Sequence, residues 1–181
     1  MLTQDLEKGN NEISSAIWSA LKGKDYVEEI IVPTEQKSWQ QALGDNPLVN
    51  LDNRLTLNKQ QALAFSQLLF QEGFNVWLLE GVTGSGKTEI YLQYIEEVLK
   101  KGKQVLVLVP EIGLTPQTVR RFQARFNVEI DVLHSNLNDT QRLNVWERAR
   151  TGQSAILIGT RSALFTQFSN LGLIILDEEH D

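Results

Sequence analysis

The chain has 181 residues, 41% hydrophobic and 22% charged, with 12 Gly, 4 Pro and no Cys, proportions ordinary for a globular protein. They exclude a collagen repeat, a disulfide scaffold, a thiolate zinc site and a cysteine nucleophile, and two histidines, His134 and His180, are too few for a histidine-rich metal cage. The net charge of -6 argues against a nucleic-acid binder that works by bulk positive charge, but residues 1–55 hold five basic and nine acidic side chains, residues 56–176 hold 12 and 10, and the acid is therefore concentrated at the two ends.

The opening MLTQDLEKGN lacks the basic and then apolar run of a signal peptide, and no stretch approaches the ~18 apolar residues of a membrane span, so a cytoplasmic protein without a membrane partner is expected. Ile13, Ala16, Ile17, Ala20 and Leu21 recur at helical spacing, and Tyr26 to Val32 reads as a strand stopped by Pro33. A helix and a strand in residues 1–43 make a fragment of a small domain. Gly44-Asp45-Asn46-Pro47, with Asn50, Asp52 and Asn53, supplies turn chemistry and marks a linker over 44–55.

From residue 56 to 181 short apolar runs alternate with helical stretches. An opening helix from about Leu57 to Gln71 carries Ala62, Phe65, Leu68 and Leu69 on one side. The runs are 76–79, 105–109, 129–133, 155–159 and 173–177, and near-continuous β-branched runs of this length suit parallel strands buried on both faces. Between them lie helices around Ile90 to Leu99, Leu114 to Phe126, and Asn138 to Arg150, the last opening with Asn138 and Gln141 in a capping-box arrangement. The expected fold class is α/β, a doubly wound parallel sheet of about five strands, with ligand at the carboxyl ends of the strands.

Residues 81–88 read GVTGSGKT between a predicted strand and a predicted helix, the context that a phosphate-binding loop requires. Gly81, Gly84 and Gly86 let the backbone turn tightly, so that N–H groups from Thr83, Ser85 and their neighbours point at phosphate oxygens. Lys87 is placed to reach the β and γ phosphates of ATP, and the Thr88 hydroxyl to ligate Mg²⁺. The competing explanation, a glycine turn that serves only packing, leaves the lysine and threonine without a purpose.

After the apolar run LIIL comes Asp177-Glu178-Glu179-His180, carboxylates at the carboxyl end of a buried strand. There Asp177 would hold the magnesium ion, and Glu178 would orient and deprotonate the attacking water. Alone, this stretch also fits a solvated acidic turn.

Together these stretches are specific enough to resemble a family. GVTGSGKTEIYL (81–92), LVPEIGLTPQTVRRF (108–122), LHSNLND (133–139), IGTRSALF (158–165) and LDEEHD (176–181) are similar in order and spacing to the PriA family of replication-restart DNA helicases, in superfamily two. The resemblance covers residues 55–181. It implies a RecA-like fold for 56–181, the first of two motor lobes, and makes residues 1–43 part of a winged-helix domain. LNKQQALA (57–64) is similar to the family's segment that places Gln61 on the adenine edge, with Gln60 standing where a glutamate is usual. Read without the family, Gln61 is a polar residue in the first turns of an amphipathic helix.

The resemblance also implies that Pro110 and Glu111, and Thr160, Arg161 and Ser162, track one DNA strand through its phosphates, and that His180 couples nucleotide state to DNA contact. Arg120, Arg121 and Arg125 fit a solvated helix face better, and Tyr91, Tyr94 and Trp146 the core. By the same resemblance the whole protein is a bacterial, cytoplasmic, nucleoid-associated 3′-to-5′ helicase that uses ATP and Mg²⁺. It acts on forked or single-stranded DNA, assembles with primosome proteins and single-stranded-DNA-binding protein, and carries zinc only in a downstream part. This chain would be its first lobe, inactive alone. Another superfamily-two translocase, a branch-migration helicase, or a non-catalytic DNA-binding or docking module remain as alternatives.

Overall fold

Gln104–Leu108 (β1) and Ile156–Gly159 (β3) are buried at every position, as strands covered on both faces must be. The structure is a computed structural model and describes residues 19–21, 23–24, 36–69 and 73–177. Ile130–Leu133 (β2) lies beside β3 and Leu171–Leu176 (β4) beside β1, giving four parallel strands in the order β2-β3-β1-β4. Leu108 stands opposite Gly159 on one side and Leu176 on the other, which brings three carboxyl ends into line.

Alternation along β1 separates the layers. Val105 and Val107 join one hydrophobic cluster with Leu92, Ile95 and Leu99 of Lys87–Lys100 (α3) and with Phe122 of Pro116–Arg125 (α4). Leu106 and Leu108 point the other way, into a cluster with Leu157, Ala163 and Val145 of Asp139–Arg150 (α5). Helices therefore cover both faces of β1 and β3, whereas β2 is half-buried and Leu171, Ile174 and Leu176 of β4 are exposed, so the burial expected of the runs at 129–133 and 173–177 is not found there. The expected capping box on α5 is formed, with Asn138 N–H donating to Gln141 Oε1 at 3.0 Å and Gln141 N–H to Asn138 Oδ1 at 2.9 Å.

The sheet has four strands where about five are expected. Residues 74–80 form no strand, and Phe74, Val76 and Leu78 are 93%, 81% and 90% exposed. An apolar run becomes a strand only when a neighbouring edge satisfies its N–H and C=O groups, and among the described residues no strand pairs with this one.

The chain divides into two units, Met1–Glu35 and Gln36–Asp181. Of the first, only residues 19–21 and 23–24 are described, with Gly23 N–H bonded to the Ser19 carbonyl at 3.0 Å. The strand expected at 26–32 and most of the preceding helix lie outside the described residues. The stretch 44–55 falls within the second unit, following the short helix Trp39–Leu43 (α1). Trp39 and Val49 are buried, Val49 bridges Phe126, and Asn50 N–H donates to the Arg125 carbonyl at 2.8 Å.

One charged residue departs from the solvated face expected of it. Arg120 and Arg121 are exposed, but Arg125 is 1% exposed. Its Nη1 donates to the Asn53 carbonyl at 2.7 Å and its Nη2 to Glu89 Oε1 at 3.1 Å, with Glu96 Oε2 3.9 Å away. Glu89, Gln93 and Glu96, four and three residues apart, form a polar stripe on α3 that meets this guanidinium. Helix periodicity on α4 shows only that position 125 shares a face with Phe122; the acidic partners are 36 and 29 positions away. Removing one partner from a buried ion cluster strands the others. Arg125→Ala is therefore expected to lower unfolding stability by about 3 kcal/mol, and Arg121→Ala by no more than about 0.5, in urea denaturation.

Candidate functional site

Helix α3 opens straight out of the glycine loop. Gly86 caps it at φ 82°, and no side chain accepts from its first turn; Glu89 N–H turns back to the Gly86 carbonyl at 3.1 Å, which leaves the N–H groups of Lys87 and Thr88 for an anion. Ser85 N–H closes the loop onto the Val82 carbonyl at 3.0 Å. The backbone angle requires glycine here, and a Cβ on Gly86 would in addition stand 2.3 Å from Gln61 Nε2 and displace that side chain.

That neighbour is Gln61, in Lys59–Leu69 (α2). Its Oε1 accepts from Asn58 N–H at 2.9 Å while Asn58 Oδ1 accepts from Gln61 N–H at 2.9 Å, a capping box at the start of the helix. Its Nε2 donates to the Ser85 carbonyl at 2.9 Å. One amide thus joins the helix start to the loop at 81–88, and one of its N–H groups and one of its lone pairs are left over. The sequence pattern N-x-x-Q at 58–61 is the same signal as at 138–141 and was available to show the capping role.

Lys87 turns its ammonium back over the loop, bonding the Gly81 carbonyl and, at 3.3 Å, the Val82 carbonyl. A phosphate arriving here would exchange its own oxygens for those carbonyls. Thr88 follows in the first turn of α3.

Asp177 stands just past β4, its N–H bonded to the Leu108 carbonyl at 2.8 Å. Its Oδ2 accepts from the Tyr91 hydroxyl at 2.7 Å, which joins the end of β4 to the helix that the phosphate loop opens. Burial pushes the Tyr91 phenol well above its ordinary range, the Asp177 hydrogen bond and charge push it further, and the Thr88 hydrogen bond and Arg121 charge pull weakly the other way. Tyr91 is therefore a protonated donor throughout the physiological range. Expected as core, it does pack there, stacked on Phe122 at 6.4 Å between ring centroids, but its hydroxyl belongs to the site. The available signal was its position three residues after Thr88, on the same helix face. Tyr94 is packed against the same core, whereas Trp146 is half-buried under Arg150, 5.8 Å from the ring centroid.

Pro110 and Glu111 follow β1, and Thr160, Arg161 and Ser162 follow β3, where Val109 N–H donates to the Gly159 carbonyl at 2.9 Å. The Thr160 and Ser162 hydroxyls are 3.3 Å apart. Ser135, beyond β2, donates to Glu111 Oε1 at 2.5 Å, a link that neither residue's neighbours in sequence suggest. His134 is a half-buried strand-end residue. Glu178, Glu179 and His180 lie outside the described residues.

The DEAD/DEAH box helicase family matches residues 58–181. The chain belongs to that family. It is 82% identical over 177 residues to the replication restart protein PriA of Haemophilus influenzae, covering 98% of the chain and 24% of that protein. It is 49% identical over 130 residues to the PriA of Bacillus subtilis, covering 70% of the chain and 16% of that protein. It thus spans about a quarter of the first relative's length, or less of the second. Among solved structures, RecG bound to a three-way DNA junction superposes with a TM-score of 0.62 at 29% identity, over 70% of this chain and 18% of that one. That neighbour supports the RecA-like fold.

The glycine loop suits a nucleoside triphosphate with its magnesium ion. The uncapped first turn of α3 and the Lys87 ammonium answer phosphate charge, and a threonine hydroxyl with one carboxylate is the sparse, hard-oxygen donor set that Mg²⁺ takes beside phosphates. Among the described residues, no group of three or more His, Asp or Glu forms a cage for an ion held by protein alone. No helix of the described residues is long and apolar enough to cross a membrane.

If the positive φ at Gly86 holds the loop in its binding shape, Gly86→Ala should raise the dissociation constant for ATP by roughly tenfold or more, the equivalent of ~1–3 kcal/mol of backbone strain. Isothermal titration calorimetry measures it directly. An unchanged constant would mean that the loop binds in another conformation.

Proposed function

We propose that this chain is the nucleotide-binding first motor lobe of an ATP-dependent DNA helicase of replication restart. The observation that carries the reading is the Tyr91 to Asp177 bond, which holds the acidic end of β4 against the phosphate-loop helix as a motor ATPase requires. The high identity to PriA supports the restart role.

In this reading Gly81, Thr83, Gly84, Ser85 and Gly86 cradle the phosphates, Lys87 neutralises the β and γ oxygens, and Gln61 reads the adenine edge with its remaining N–H and lone pair. Thr88 and Asp177 hold the Mg²⁺, which when bound spreads the charge developing on the transferred phosphoryl group. Glu178 orients the attacking water and takes its proton, and His180 carries the nucleotide state to the DNA contacts. The segments Pro110–Glu111 and Thr160–Ser162 track one DNA strand without reading bases, with backbone N–H groups, the Thr160 and Ser162 hydroxyls and the Arg161 guanidinium as the donors to its phosphates.

The whole protein would then translocate 3′ to 5′ on forked DNA with primosome proteins and single-stranded-DNA-binding protein, so that the replicative helicase is reloaded. A downstream zinc segment and a nucleoid location belong to the same reading. The likeness to RecG, described as bound to a three-way junction, favours a second reading, remodelling of branched DNA. Unwinding rates on forks against three-way junctions separate the two.

Binding of Mg·ATP and Mg·ADP to the 181-residue chain should be lost on Lys87→Ala, with negligible turnover in either case. Fast DNA-stimulated turnover by the chain alone would overturn the half-motor reading. In the whole protein, Glu178→Gln should keep ATP binding while hydrolysis and unwinding fall by ~100-fold or more. Unwinding that survives it would indicate a docking role instead.

A further inference from the structure

We infer that Tyr91 is a positioning residue for Asp177, its hydroxyl fixing the carboxylate toward the Thr88 turn of α3 where the magnesium ion of a bound nucleotide is required. This deepens the reading that Thr88 and Asp177 serve the ion, and it rests on that reading.

Three observations carry it. The Tyr91 hydroxyl and Asp177 Oδ2 are 2.7 Å apart across 86 positions of sequence. The Asp177 backbone is already tied to Leu108 at 2.8 Å, so the remaining freedom is rotation of the side chain, which the tyrosine removes. The tyrosine itself has little freedom, because its ring is stacked on Phe122 and packed against the hydrophobic cluster under the sheet.

A phenylalanine would fill the same ring volume without a polar group to satisfy. The hydroxyl of a half-buried tyrosine costs desolvation unless it is bonded, and here it donates to the Asp177 carboxylate while the Thr88 side chain also bonds it. Groups that hold a metal-ligating carboxylate in this way commonly change metal affinity by 10–100-fold when removed. Tyr91 also sits three residues beyond Thr88, so a single turn of helix sets the separation between the Thr88 hydroxyl and the hydroxyl that holds Asp177.

The test is a magnesium titration. The 181-residue chain is titrated with Mg²⁺ at a fixed concentration of fluorescent ATP analogue, and separately with the analogue in EDTA. The variants are Tyr91→Phe, Asp177→Asn and the two combined. Tyr91→Phe is expected to leave binding in EDTA within about twofold of the wild type and to raise the Mg²⁺ concentration for half-maximal binding by roughly tenfold. Asp177→Asn should raise it at least as far, and the double variant no further, since the hydroxyl acts only through the carboxylate.

A Tyr91→Phe titration that matches the wild type while Asp177→Asn shifts would overturn the positioning role and leave the metal-site reading standing. Loss of binding in EDTA by Tyr91→Phe would also overturn it, because the hydroxyl would then serve the loop's fold. If the wild type shows no magnesium dependence, or Asp177→Asn shifts nothing, the metal-site reading fails and the inference falls with it.

Discussion

A guanidinium closed off from water between three segments of chain sets the arrangement of everything around the phosphate loop. Arg125 closes α4, yet its partners are Glu89 and Glu96 on α3 and the carbonyl of Asn53. Arg54 adds a 3.3 Å approach to the same Glu96 oxygen, and Lys100 bonds the other at 2.8 Å. The cluster is not fully satisfied, since Glu96 Oε2 and Arg125 Nε are buried without a hydrogen bond. Such a cluster stabilises less than a well-packed apolar core would, but breaking it leaves a buried charge without its partner. Because Glu89 directly follows Thr88, the helix that presents the loop cannot rotate without separating those charges.

From that clamp the site follows through short local geometry. Parallel strands in register place Leu108, Gly159 and Leu176 side by side, and the residues just beyond them inherit the alignment. Asp177, Pro110, Glu111, Thr160 and Ser162 consequently share one rim of the sheet, with Ser135 drawn in through Glu111. This is the general property of open α/β sheets, in which the carboxyl rim collects side chains from distant parts of the sequence.

Features whose physics is local were readable from the sequence. The Asn138 and Gln141 box, the glycine spacing before α3, and the doubly covered runs at β1 and β3 each depend on residues within one or two turns or strands. Features that depend on a distant partner were not. The run at 76–79 has strand composition, but pairing is decided by a neighbouring edge that composition does not encode. Arg125 looked solvated because charge on a helix is usually solvated, and its buried partners lie on another helix. Tyr91 looked like core because an aromatic ring is mostly apolar area; what its hydroxyl touches is settled by the meeting of α3 with β4. The family resemblance located the motifs, and the hydrogen bonds that join them became visible only with the fold.

Gln61 carries one more implication. Its carboxamide is at once the returning half of the capping box that Asn58 opens at the start of α2 and a donor to the Ser85 carbonyl, so the two bonds share a single rigid plane. Any turn of the Ser85 to Gly86 peptide must either drag that plane or break from it, and dragging it unseats the helix cap. The start of α2 is thereby made sensitive to the loop, and by thermodynamic reciprocity the loop is equally sensitive to fraying of α2. Twenty-four positions of chain separate them, but mechanically they are one hinge.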